Sequence, residues 1–255
     1  MSIPEKWLFC GDSITDGNHS LCGDPNHIMG HGFAFMAAAY LGAEYPLCNI
    51  KSYNTACSGI NSDRLLSSWE ERVLSIKPDV LTLLVGINDT NTLFDHDKTL
   101  LQKKRATPAA YGENLRYMLH LARRCNPQMK ILLGMPFYFC VDELPEPSGL
   151  RQDEDERKFI LKIREYSQAF RQEKLADVKK RQQTVRELAD CFGAYLLDFQ
   201  QVFQDAVQLA PLEHWIWDGV HPTVSGHMLM FNLWKKVCRE NILTGCAPGA
   251  ANSME

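Results

Sequence analysis

Short apolar runs alternate along this chain with longer segments whose apolar residues recur at helical spacing. KWLFC (6–10) reads as a strand that ends at Gly11. LCNIKSYN (47–54), DVLTLLVG (79–86), KILLGMP (130–136) and AYLLDF (194–199) read as four more. DVLTLLVG is almost continuously apolar, the mark of a strand buried on both faces inside a parallel sheet. GFAFMAAAYLGAEYP (32–46) reads as a helix stopped near Gly42 and Pro46. SDRLLSSWEERVLSIKP (62–78) opens on a Ser N-cap candidate and carries Leu65, Leu66, Trp69, Val73 and Ile76 at helical spacing. TPAAYGENLRYMLHLARRCNP (107–127) begins with the Thr-Pro pair that suits an N-cap and first helical position. TVSGHMLMFNLWKKVCREN (223–241) reads as a closing helix with cations in its last turns. Strands alternating with helices in this way predict an α/β fold, with right-handed crossovers and helices on both faces of the sheet.

Residues 151–192 depart from this rhythm. The segment is long, charged and helical, with one stripe at Phe159, Ile163, Tyr166 and Phe170 and another at Val178, Val185, Leu188 and Phe192. A helix of ~40 residues is unusual in a compact domain, so a break or a projecting arm is expected, and its surface is available for assembly into a homo-oligomer. Its charged faces, including KKRQQ (179–183), read as solvated. No repeat or linker divides the chain. One domain over 1–243 is expected, followed by a flexible tail at 244–255.

Composition narrows the function classes. Hydrophobic residues make up 45% and charged residues 23% of 255, ordinary for a globular protein with a substantial core. A net charge of −4 gives no electrostatic footprint for nucleic acid or an anionic membrane. No apolar stretch approaches the ~20 residues that span a bilayer, and MSIPEKWLFCGD does not read as a signal peptide, so the expected location is cytoplasmic. The nine cysteines are scattered without a CxxC pair, which suits buried reduced thiols better than a disulfide framework.

Ligands of open parallel sheets bind outside the carboxyl ends of the strands, and small polar residues gather after the predicted strands. Gly11-Asp12-Ser13 follows the first, NTACSGIN with Ser58-Gly59 the second, and GINDTN with Asn88-Asp89 the third. WDGVHPT, with Asp218 and His221, precedes the last helix. Each loop alone is ordinary turn chemistry; together they supply the parts of acyl transfer. A Ser13 hydroxyl becomes a nucleophile when His221 takes its proton, and Asp218 can hold the imidazole and stabilise the imidazolium. Pro222 steers His221 away from helical geometry, so Asp218 and His221 share a short loop. The N–H groups of Ser13 and Gly59 and the Asn88 amide can receive the negative oxygen of a tetrahedral intermediate. A glycine at 59 leaves room for a substrate to approach its N–H.

The ordered set GDSIT, SG, GIND and DGVH, spread over residues 10–227, resembles the SGNH hydrolases, also called GDSL esterases. The resemblance implies a three-layer αβα sandwich with a five-stranded parallel sheet of flavodoxin-like type. It also implies Ser13, Asp218 and His221 as the catalytic triad and Ser13, Gly59 and Asn88 as the oxyanion hole. The G-x-S-x-G elbow of α/β-hydrolases is absent. GMPFYF (134–139) and WDGVHPTVSGHMLM (217–230) look most like the intracellular esterases that deacetylate xylo-oligosaccharides. The expected activity is therefore removal of short acyl groups, foremost acetyl, from a small carbohydrate ester, with no cofactor. A short-chain lipid esterase or thioesterase is the alternative within this chemistry, and a non-catalytic carbohydrate-binding protein the alternative outside it.

Other residues have plainer readings. Asp12 and Asp89 read as anchors of their turns, and His227 as a packed or surface histidine. His19, Cys22, Asp24, His27 and His31 include zinc-ligand types, but Pro25 and four glycines in GNHSLCGDPNHIMGHG predict a loop without fixed geometry. That loop is expected to shape access to Ser13, and no metal is expected. Of the aromatics Phe94, Phe137, Tyr138, Phe139, Trp215 and Trp217, packing is expected for Phe137 and Phe139. Trp215 and Trp217, beside the Asp/His loop, are the candidate substrate contacts.

Overall fold

In this computed structural model, residues 3–21, 23–25, 27–90, 106–140 and 168–244 are described. The strands are β1 (Lys6–Gly11), β2 (Lys51–Asn54), β3 (Val80–Leu84), β4 (Lys130–Gly134) and β5 (Tyr195–Leu197). They form one parallel sheet in the order β2-β1-β3-β4-β5. The helices are α1 (Ser13–Asp16), α2 (Phe33–Glu44), α3 (Ser62–Ser67), α4 (Pro108–Cys125), α5 (Gln168–Phe192), α6 (Phe199–Ala206), α7 (Leu212–Trp215) and α8 (Val224–Asn241).

Strand alternation builds two cores. Trp7, Phe9, Val80, Leu84 and Leu132 point to one face and pack with Phe33 and Leu41 of α2, Phe203 of α6 and Trp234 of α8. Leu8, Cys10, Leu81, Leu83, Ile131 and Leu133 point to the other, against Leu65 of α3, Leu115 of α4 and Val185 of α5. The expected three-layer αβα sandwich is thus observed, and every residue of β3 is buried as its apolar run foretold. Each large aliphatic side chain so buried contributes roughly 1.5–3 kcal/mol. Thr82 interrupts the first face with a hydroxyl, and the Trp234 indole N–H donates to it at 3.0 Å, so the buried polar atom is satisfied.

The structure corrects several boundaries. β2 begins only at Lys51, because Asn49 adopts a left-handed φ of 49°. The helix read over 32–46 ends at Glu44, between Gly42 and Pro46. The helix predicted over 62–78 is broken: α3 ends at Ser67, and a π-helical turn follows at Glu70–Leu74. The Ser67 and Ser68 hydroxyls both donate to the Arg64 carbonyl, and such back-bonding bends helices. α6, unforeseen, starts where Asp198 accepts from the Gln201 N–H, within the range read as the end of the fifth strand.

On α5 the stripe residues Val178, Val185 and Leu188 are buried and Phe192 is partly buried, but the charged faces, KKRQQ included, are not all solvated. Arg181 is 1% exposed and Lys174 5%. The Arg181 guanidinium donates to the carbonyls of Asp89 and Ala106, each at 3.0 Å, and pairs with Asp177. Phe159, Ile163, Tyr166, Phe94 and the 245–255 tail lie outside the described residues. The described cysteines are all free thiols, but only Cys10 and Cys238 are buried; Cys125 and Cys191 are exposed. Among the described residues no helix is long and apolar enough to cross a membrane.

Candidate active site

In the strand order 2-1-3-4-5 the chain leaves β1 and β3 toward opposite faces, which opens a crevice at their carboxyl ends. Ser13 follows β1 and Asn88 follows β3 at that crevice. Gly11 makes the first turn possible. Its φ is +154° and a Cβ there would lie 2.0 Å from the Leu84 carbonyl oxygen. Asp12 then caps α1 by accepting from the Ile14 N–H at 3.1 Å, the turn-anchoring role read for it. Ser13 is left half-buried at the first position of α1, and its N–H has no hydrogen-bond partner among the described residues.

The WDGVHPT loop is a small antiparallel bend closed by an Ile216–Pro222 bridge. Gly219 has a φ of +88°, and a Cβ on it would sit 2.3 Å from the Phe139 carbonyl oxygen, so this position demands glycine. Asp218 Oδ1 accepts the backbone N–H groups of Val220 at 2.8 Å and His221 at 2.6 Å. Its Oδ2 lies 2.6 Å from His221 Nδ1, and His221 Nε2 lies 2.8 Å from Ser13 Oγ. Three residues drawn from two ends of the chain thus form one continuous relay. Burial opposes charging of His221, but the hydrogen bond and charge of Asp218 outweigh it and raise the imidazole above its usual pKa.

The remaining donors are held by their own clamps. Gly59 is exposed at φ +73°, and a Cβ on it would meet no protein atom within 4 Å. Its glycine is therefore required by backbone conformation, and the space beside it is open to a ligand. Its N–H, too, has no partner among the described residues. Asn88 Nδ2 donates one hydrogen to the Ile60 carbonyl at 3.0 Å, which fixes the amide and leaves its second hydrogen for a ligand. Asp89, 1% exposed, accepts the Ser62 N–H and hydroxyl and so ties β3's loop to the start of α3. Burial pushes its carboxyl up to about 6 despite those bonds.

Trp217 and Trp215 part company. Trp217 stacks on the His221 ring at a centroid distance of 6.3 Å and an angle of 26°. Trp215 packs against the helical core and donates its indole N–H to the Ala210 carbonyl at 3.3 Å. Phe137 and Phe139 pack on Phe203, as expected. His227 is buried, and its Nδ1 accepts the Phe33 N–H at 3.3 Å. In the 17–32 loop, His27 and His31 are exposed, Cys22 lies outside the described residues, and His19 turns inward to Asp16. No metal-holding cluster of His, Cys, Asp and Glu occurs among the described residues. Sequence reasoning gave Asp16 and the Ser58 side chain no role, although both contribute hydrogen bonds at the site.

A Ser–His–Asp relay at the carboxyl edge of a three-layer αβα sandwich is the equipment of a carboxylic ester hydrolase. The chain belongs to the GDSL-like lipase/acylhydrolase family, whose sequence model matches residues 9–229. It is 29% identical over 229 residues to an acetylxylan esterase of Geobacillus stearothermophilus, covering 89% of this chain and 90% of that protein. The crystal structure of Axe2, an acetylxylan esterase from Geobacillus stearothermophilus, superposes with a TM-score of 0.69 at 25% identity, over 92% of this chain and 94% of that one. LAE5, an α/β hydrolase enzyme from the metagenome of Lake Arreo, Spain, shares the fold with a TM-score of 0.69 at 24% identity, over 93% and 96% of the two chains.

Proposed function

We propose that this protein is a serine esterase that removes short acyl groups, foremost acetyl, from carbohydrate esters such as acetylated xylo-oligosaccharides. The observation that carries the reading is the unbroken Ser13–His221–Asp218 relay, with contacts of 2.8 and 2.6 Å. Ser13 Oγ attacks the ester carbonyl while its proton passes to His221 Nε2. The oxyanion is received by the N–H groups of Ser13 and Gly59 and the Asn88 amide. His221 then protonates the departing sugar alkoxide, leaving acetyl on Ser13. A water deprotonated by His221 attacks the acyl-enzyme, and Ser13 regains its proton as acetate leaves. The likeness to a curated acetylxylan esterase over most of both chains supports the acyl and sugar classes, and Trp217 beside His221 offers a flat apolar surface for a sugar ring.

Acetate release from a panel of acetylated xylo-oligosaccharides, other acetylated sugars and acyl-thioesters tests the substrate. Ser13→Ala is expected to abolish hydrolysis of an aryl acetate, and Asn88→Ala to lower kcat about 10²–10³-fold. Wild-type rates in Ser13→Ala would refute the mechanism. Faster turnover of an aryl octanoate than of the acetate would refute the acetyl preference.

A further inference from the structure

A second Asp–His pair, its carboxylate buried and its imidazole partly buried, stands outside the Ser13–His221–Asp218 relay. Asp16 closes the same short helix that Ser13 opens, and it is 8% exposed. Its Oδ2 accepts the Ser58 N–H at 2.8 Å and the Ser58 hydroxyl at 2.6 Å. Its Oδ1 lies 2.6 Å from His19 Nδ1 and 3.2 Å from the His19 backbone N–H. Both carboxylate oxygens are thus doubly engaged. Burial alone would raise the Asp16 carboxyl, but the bonds from Ser58 and His19 outweigh it and hold the group below the ordinary carboxylate value, so it is charged at neutral pH. His19 resembles His221 only in its bond to a carboxylate: its Nε2 has no hydrogen-bond partner among the described residues, so no nucleophile stands behind it.

Ser58 immediately precedes Gly59. The peptide that carries the Gly59 N–H is therefore pinned on one side by Asp16. On its other side Ile60 is pinned by the Asn88 amide at 3.0 Å. The Cys57 N–H adds a bond to the Gly11 carbonyl at 2.9 Å, just ahead of the nucleophile's turn. Ser13, Gly59 and Asn88 are consequently joined in one hydrogen-bonded chain that runs α1, Asp16, Ser58, Gly59, Ile60, Asn88. Gly59, at φ +73° with no side chain to pack, is held in register by the turn that the Ile60 N–H closes on the Cys57 carbonyl at 3.1 Å and by these two clamps on its neighbours.

We propose that Asp16 and His19 are positioning residues for the oxyanion-stabilising N–H of Gly59: the Asp16 carboxylate locks Ser58 to the nucleophile's helix, and His19 orients that carboxylate. This rests on the reading of Ser13 as nucleophile. Neither residue touches the reacting atoms, so their loss acts on the transition state through geometry.

The test compares His19→Ala, His19→Asn and Ser58→Ala with the parent and with Ser13→Ala. Each is assayed for kcat and KM on an aryl acetate per active site titrated with a fluorophosphonate, and for inhibition by phenylboronic acid, which forms a tetrahedral adduct on a serine; Ser13→Ala, with no serine to titrate, is assayed per total protein. His19→Ala and Ser58→Ala are expected to lower kcat and kcat/KM together, about ten- to a hundredfold, with KM within about twofold. Phenylboronic acid should weaken by a comparable factor. An Asn amide nitrogen can occupy the place of His Nδ1, so His19→Asn should recover most of the loss. The proposal is overturned if kcat per titrated site in His19→Ala stays within about twofold of the parent, if KM alone changes, or if His19→Asn is as impaired as His19→Ala. Should His19→Ala fail to fold, Ser58→Ala and His19→Asn decide on the same criteria. Activity retained in Ser13→Ala would instead overturn the nucleophile reading and is seen in a separate arm.

Discussion

His221 is pulled in two directions, and the balance sets how its chemistry depends on pH. Burial disfavours the imidazolium; the Asp218 carboxylate at 2.6 Å favours it more strongly, and Asp12 adds to that pull. In the proposed mechanism His221 accepts a proton only when neutral, so kcat/KM for an aryl acetate should fall on the acid side along a limb above the ordinary histidine value of 6.5. Asp12 is itself held up to about 7, chiefly by burial. Asp12→Asn keeps an oxygen for the Ile14 N–H while removing the part of the charge that Asp12, with its carboxyl near 7, still turns toward His221 at neutral pH. Its acid limb is expected at lower pH than the parent's, and an unmoved limb would remove Asp12 from the account. Ser13, Asp218 and His221 could be singled out in the sequence because their residue types are unusual in combination and each falls in a polar stretch that the apolar pattern already bounded, Ser13 just after β1 at the start of α1. The Asp16–Ser58 clamp could not. An acidic residue ending a turn and a serine before glycine are common turn chemistry, and their bond joins residues 42 positions apart.

At the scale of elements, the His221 loop is held by a helix that packs elsewhere. α8 follows directly from the His221 loop and is seated on the sheet by Trp234, which is fully buried and bonded to Thr82 on β3. Trp234→Phe removes the donor, leaves the Thr82 hydroxyl without it and shrinks a well-packed ring. A loss of roughly 1–3 kcal/mol is expected in urea unfolding; an unchanged midpoint would show that the indole N–H contributes nothing. The same logic explains the misread charges of α5. A run of Lys, Arg and Gln has the composition of a solvated face, yet Arg181 bonds the Asp89 and Ala106 carbonyls and lies over the Tyr111 ring at 5.1 Å. Periodicity placed Val178, Val185 and Leu188 correctly because burial of aliphatic side chains needs only a face. Burial of an arginine needs specific carbonyls from distant loops, which no local pattern records. The interruption of the helix beyond Ser67 depends likewise on two hydroxyls turning back to Arg64 instead of outward.

Across the whole molecule, the sheet order brings four loops to one edge, and α2 and α8 close over the same face behind them. His227 marks their junction. Its ring accepts the first N–H of α2 and lies against Gly32, and burial, with His31 and His221 nearby, lowers its pKa from 6.5 to about 4. Between those values the unfolded chain takes up a proton that the folded protein refuses. The contribution of neutral His227 is present above about 6.5 and is lost as pH falls toward 4. His227→Gln is expected to flatten that part of the profile, so that its melting temperature drops less than the parent's between pH 7 and pH 4.5, and equal drops would assign the acid sensitivity to other groups. The α/β class, the four polar loops and the residue types of the relay were already legible in the chain, because strand burial and loop chemistry are written locally in apolar runs and turn residues. The 2-1-3-4-5 order, the seating of Arg181 and His227, and the Asp16 clamp on the Gly59 loop emerged only on folding. Those depend on which backbone groups meet across long separations, and hydrogen bonds of that kind leave no periodic trace in the chain.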